Sequence, residues 1–70
     1  MELWINGNAE MIDGLLADKS TVSDLLVFKG WRKDGIAVEL NGLVVPKHKH
    51  NEQFLQPGDK IEVVTLIGGG

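Results

Sequence analysis

The sequence predicts an α+β domain in which a mixed β-sheet carries one short helix across one face. Three observations lead there. Two Asn-Gly dipeptides, Asn6-Gly7 and Asn41-Gly42, each follow an alternating apolar run, the strongest short-range signal for a tight hairpin. One segment, beginning near Val22 and closed by Gly30, has apolar residues at helical spacing. The run from Lys60 to Ile67 is the most strand-like stretch in the chain.

The elements follow in order. Leu3 and Ile5 alternate with Glu2, Trp4 and Asn6, as in a strand with one buried face. Asn6-Gly7 supplies positive φ at both central turn positions, and Ala9 to Ile12 returns, so Glu2 to Ile12 is an antiparallel hairpin. Asp13-Gly14 breaks the pattern, and the polar Asp18-Lys19-Ser20 leads to Thr21-Val22-Ser23-Asp24. There Thr21 can cap the amide of Asp24 while the Asp24 carboxylate occupies the first turn, where the helix dipole favours negative charge. Val22, Leu25, Leu26 and Phe28 form the apolar face of a helix of about two turns. Gly30 suits the left-handed residue after it, with Trp31 folding back onto the last turn. Lys29 sits where this pattern favours an apolar residue.

Arg32-Lys33-Asp34-Gly35 is a polar loop. Ile36, Val38 and Leu40 alternate with Ala37 and Glu39 in a third strand, Asn41-Gly42 turns it, and Leu43-Val44-Val45 returns until Pro46 withholds a ladder donor. Lys47 to Gln56 is polar except for Phe54 and Leu55, which are expected to anchor a loop or a single helical turn. Gln56-Pro57-Gly58-Asp59 has the residue placement of a type II turn. In the last strand Ile61, Val63, Thr65 and Ile67 share one face, and Glu62, Val64 and Leu66 share the other. A hairpin, a helix and further strands pack most simply as one mixed sheet with the last strand inside it beside the first. That is the β-grasp, or ubiquitin-like, arrangement, expected over residues 1–67 with a flexible glycine tail at 68–70.

Composition bounds the function. Seventy residues admit one core, because a chain of this size buries only about 60% of its unfolded surface. A substrate cleft would consume most of that core, so the chain is not expected to be an enzyme. The absence of cysteine removes disulfides, thiolate metal sites and cysteine nucleophiles. Hydrophobic residues make up 43% against 24% charged, and seven basic against ten acidic side chains leave a formal charge of −3. That is a globular composition without a phosphate-binding footprint, so no nucleic-acid partner is expected. Neither a leader nor a membrane span is apparent, and a soluble, cytoplasmic monomer with no bound cofactor or metal is expected.

Few residues suggest chemistry. His48 and His50 could share one side of an extended segment and hold a metal, but a third ligand is missing and a solvated loop is the expected reading. Trp31 is assigned to packing, whereas Trp4, opposite Leu3 and Ile5, is a candidate for a partner-docking surface. The ending Gly68-Gly69-Gly70 is harder to dismiss, since an apolar strand runs directly into three residues without side chains. Such an arm reaches roughly 10 Å and can thread a narrow channel. Ordering it costs on the order of 3 to 6 kcal/mol, so a globular face must supply binding energy. Val64 and Leu66, beside the arm, are candidates for that face.

A strand ending in Asn6-Gly7, the segment Thr21-Val22-Ser23-Asp24-Leu25-Leu26, the run Val38-Glu39-Leu40-Asn41-Gly42 with Val44-Val45-Pro46-Lys47, and Gly58-Asp59-Lys60-Ile61-Glu62-Val63-Val64-Thr65 before terminal glycines together resemble the ThiS family. These are the sulfur carrier proteins of thiamine biosynthesis. The resemblance implies that Gly70 is adenylated by a ThiF-like adenylyltransferase using ATP and magnesium. A cysteine-derived persulfide then converts it to a thiocarboxylate, with Gly68 and Gly69 as the threading segment. It further implies a ThiG-like thiazole synthase as sulfur acceptor. The family commonly ends in two glycines, where this chain has three. A MoaD-like subunit of molybdopterin synthase, or a β-grasp module without covalent chemistry, would be built on similar features.

Overall fold

The computed structural model describes residues 1–66. The readings made for Ile67, Gly68, Gly69 and Gly70 lie outside those residues. Five strands, β1 (Glu2–Ile5), β2 (Asn8–Met11), β3 (Ile36–Leu40), β4 (Leu43–Val45) and β5 (Lys60–Thr65), form one sheet in the order β2-β1-β5-β3-β4. A single helix, α1 (Val22–Lys29), and a 3₁₀ turn (Lys47–Lys49) complete the described elements. β5 lies at the centre, parallel to β1 and antiparallel to β3, so the sheet is mixed as expected. Both Asn-Gly turns have the anticipated backbone, with φ of 50° and 84° at Asn6 and Gly7 and of 52° and 87° at Asn41 and Gly42.

α1 starts and stops where its end residues dictate. Thr21 accepts from the Asp24 amide and Asp24 Oδ2 accepts from the Thr21 amide at 2.8 Å, a complete capping box. The next two orphan amides are satisfied from a distant segment, Val22 N–H by the Gln53 carbonyl and Ser23 N–H by the His50 carbonyl. Gly30, at φ 73°, closes the helix while the Trp31 amide bonds back to Leu26 O at 2.9 Å.

One face of the sheet contributes Leu3, Ile5, Val38, Leu40, Val45 and Ile61 to the core, and the helix adds Val22, Leu25 and Leu26. Ile12, Leu15 and Leu55 plug the core from connecting segments. Burial of those side chains is the main stabilising contribution, at about 1.5–3 kcal/mol for each large aliphatic group.

Three local readings, at Phe28, Phe54 and Thr65, are corrected, and the anomaly at Lys29 is accounted for. Phe28 is exposed and does not extend the apolar face of α1, because Leu25 and Leu26 already fill the width that faces the sheet. Lys29 occupies its anomalous position by pairing with Glu10 of β2, with Nζ 5.5 Å from the centre of the Trp31 ring. Leu55 anchors the long connection alone: it is fully buried, whereas Phe54 is exposed beside an isolated bridge to Thr21. Thr65 is exposed at the end of β5, although alternation groups it with the buried Ile61. No helix among the described residues is long and apolar enough to cross a membrane.

Candidate functional site

The site develops from the way β5 leaves the sheet. β1 pairs with β5 only through Trp4↔Lys60 and Ile5↔Ile61. The chain then turns away at Asn6-Gly7, and β5 runs on. Two bonds close the junction: Asn6 N–H donates to Ile61 O at 2.9 Å, and Val63 N–H donates to the Asn6 side-chain oxygen at 2.8 Å. On its other side β5 stays paired with β3 as far as Ile36↔Thr65, and Leu66 N–H continues that ladder to Gly35 O at 2.7 Å. Among the described residues, Thr65 and Leu66 are therefore held from one side only.

The face of the sheet opposite α1 is open. Val64 and Leu66 are 53% and 56% exposed and, two residues apart along an extended chain, fall on the same side. Trp4 is 41% exposed and lines a shallow cavity of about 340 Å³ with Gly7, Lys60 and Glu62. Its register with Lys60 places it on that open face, but roughly 13 Å from Val64 and roughly 20 Å from Leu66 along the strand. The structure thus joins two of the three docking candidates and sets the third apart.

Two features of this face escaped the reading of the sequence. Val44 and Met11 are also exposed on it, which strand alternation at Val44 could have indicated. Glu39 and Glu62 are direct cross-strand neighbours, an unfavourable placement of like charges. Strand register alone reveals that pair.

The histidines part company. His48 is exposed in the 3₁₀ turn, whereas His50 is 2% exposed, with Nε2 3.1 Å from the Val45 carbonyl and Nδ1 without a partner. The expected solvated loop is corrected at His50: its carbonyl is bound by Ser23 N–H, which draws the residue under the helix start. Among the described residues no group of three His, Cys, Asp or Glu side chains could hold a metal. Lys47 hydrogen-bonds Asp34 at 3.1 Å and holds its carboxyl below the ordinary carboxylate value; the pair lies in solvent. What the described residues offer is an open, partly apolar sheet face and a central strand whose last residues are held from the β3 side. The reacting group proposed from the sequence, Gly70, and the threading residues Gly68 and Gly69 lie outside the described residues.

Comparison with known proteins adds to this geometry. A family model described as the ThiS family matches residues 3–70. The chain is 34% identical over 73 residues to the sulfur carrier protein ThiS of Thermus thermophilus, covering 97% of this chain and 98% of that one. It is 37% identical over 70 residues to a thiazole synthase of Paramagnetospirillum magneticum, where all of this chain corresponds to 20% of the synthase. It also spans 65% of the length of an uncharacterized protein ycf40 of Pyropia yezoensis, at 37% identity over 46 residues. The crystal structure of a thiamine biosynthesis protein (ThiS) from Geobacter metallireducens superposes with a TM-score of 0.81 at 32% identity, with both chains fully covered.

Proposed function

The chain belongs to the ThiS family, and from that premise we propose that it is a sulfur carrier of thiamine biosynthesis, a protein cosubstrate rather than a catalyst. The observation that carries this reading is the family match through residue 70, which takes in the glycine arm as well as the domain. The chemistry explains why an arm is wanted. A carboxylate is a poor electrophile, so a ThiF-like adenylyltransferase, using ATP and magnesium, must activate it. One oxygen of the Gly70 carboxylate attacks the α-phosphorus of ATP, pyrophosphate leaves, and an acyl adenylate results. Sulfur from a cysteine persulfide then displaces AMP and, once its disulfide link to the donor is reduced by a thiol, remains as a terminal thiocarboxylate.

Gly68 and Gly69 thread that group into a narrow active site, since they carry no Cβ. Val64 and Leu66, with Trp4 at the far end of the open face, supply the docking energy that ordering the arm consumes. A ThiG-like thiazole synthase accepts the sulfur. Support for that partner comes from two thiazole synthases, of Paramagnetospirillum magneticum and Magnetococcus marinus, each of which aligns with this whole chain over a fifth of its own length. Free in the cytoplasm, the carrier is a monomer with no cofactor of its own.

The test is intact-protein mass spectrometry after incubation with the adenylyltransferase, ATP, magnesium and a persulfide donor. The expected product carries one sulfur in place of one oxygen, localised to Gly70 by fragmentation. A chain that stays unmodified while a known ThiS is converted in the same tube refutes the proposal.

A further inference from the structure

Asn6 does two things in this fold, and only one is needed for the hairpin. Its φ of 50° is a conformation that Asn, Asp and Gly adopt most readily. Its side-chain oxygen also accepts the Val63 N–H at 2.8 Å, across 57 residues of sequence. Glycine would serve the turn as well or better, but it has no acceptor. The second role therefore has to be sought at β5. Ile61 pairs with Ile5 in β1 and Leu40 in β3, and Lys60 with Trp4 in β1 and with Asn41 just past β3, whereas among the described residues Thr65 and Leu66 have β3 and Gly35 alone. The Asn6 oxygen is the last rung on the β1 side, two residues before the strand ends.

We infer that Asn6 is a positioning residue for the sulfur-carrying arm: by pinning Val63 it fixes the direction in which the chain leaves the sheet. The inference rests on the sulfur-carrier reading. The mechanism is geometric. A chain end held at Val63 from both sides sweeps a narrower range of directions than one held from β3 alone. A larger share of docked carriers then presents its terminus in reacting position. Asn6 acts through Val63, so its effect falls on the rate within the docked complex and not on docking, which is assigned to Val64 and Leu66.

The experiment compares Asn6→Gly with Asn6→Asp. Glycine keeps the turn and removes the rung; aspartate keeps both the tolerated φ and an acceptor. Thiocarboxylate formation is measured in single turnover at saturating adenylyltransferase, with carrier affinity measured separately. Asn6→Gly is expected to slow the reaction about two- to tenfold, the range that one lost hydrogen bond corresponds to. Its affinity should be unchanged, and Asn6→Asp should restore the rate. A wild-type rate in Asn6→Gly, or a loss confined to affinity, overturns the inference. If Asn6→Gly fails to fold, a backbone ester in place of the Val63 amide removes the same bond and leaves the turn intact, with the same expectations. If even the wild-type chain acquires no sulfur, the sulfur-carrier reading fails. In that case ¹⁵N relaxation at Thr65 and Leu66 decides the role of Asn6: looser in the glycine variant and restored by aspartate supports it, and no change refutes it.

Discussion

The docking role of the open face is open to direct test at Leu66. Its side chain is 56% exposed in the free chain, so a partner could bury a little over half of it. Fully burying a leucine contributes about 1.5–3 kcal/mol, and the share still available is therefore about 1 kcal/mol. Leu66→Ala should weaken partner binding about fivefold. The fold should scarcely register the change. Leu66 lies beyond the last residue of β5, its backbone bond to Gly35 survives, and substitutions at such sites usually stay within about 0.5 kcal/mol. Val64→Thr, which keeps the β-branched shape, should weaken binding in the same direction. Because the two side chains are close neighbours, the double variant need not equal their sum. Calorimetric titration against the adenylyltransferase and against the thiazole synthase, with urea unfolding as the control, measures both quantities. Trp4→Ala in the same titrations maps the footprint, since an interface of about 800 Å² per partner spans roughly 30 Å and could reach both ends of the face. Unchanged affinity of the Leu66→Ala, Val64→Thr double variant for both enzymes would refute the assignment.

Three further outcomes are expected. Thr21→Ala should lower stability by about 1 kcal/mol by removing the cap on α1, and Thr21→Ser should restore most of it; a wild-type urea midpoint for the alanine variant would mean that the bonds from Val22 and Ser23 to the distant loop suffice. Glu62→Gln relieves the cross-strand clash with Glu39 and should raise stability by about 0.5 kcal/mol at low salt and less at high salt; a salt-independent loss would contradict the register argument. At Asp34 the folded carboxyl titrates below its ordinary 3.8 because of Lys47, so its contribution is present above that value and is lost as pH falls through the lower folded one. The site is fully solvated, so that contribution is small: Asp34→Asn should lower neutral-pH stability only slightly, and the difference from wild type should vanish as pH falls through the folded value. A difference that persists undiminished at low pH would refute that assignment.

How far the sequence could be read depended on how local the deciding physics was. The turns at Asn6-Gly7 and Asn41-Gly42, the capping box at Thr21 and Asp24, and the stop at Gly30 each rest on φ preferences or hydrogen bonds within a few residues. All four stand in the structure as expected. The amphipathic reading of α1 succeeded at Val22, Leu25 and Leu26 and failed at Phe28, because a two-turn helix meets the sheet along a narrower stripe than its apolar residues could fill. His50 was misjudged for a related reason. Its burial comes from the Val45 carbonyl and from α1 resting on its backbone, and neither neighbour is visible in a polar run between two strands.

By itself, then, the sequence determined the elements, their ends, and an apolar strand leading into a bare glycine arm, since these follow from side-chain chemistry close along the chain. Only the tertiary structure decided what surrounds that strand. β1 turns away after Ile5 while β3 runs on beside β5, so the end of β5 is held from one side; Val64 and Leu66 lie on the face opposite α1, Trp4 stands roughly 13 Å and 20 Å from them along the strand, and Asn6 holds Val63 from the neighbouring turn. Those relations depend on register between segments distant in sequence, β5 with β1 and β5 with β3, and register is set by how the whole core packs.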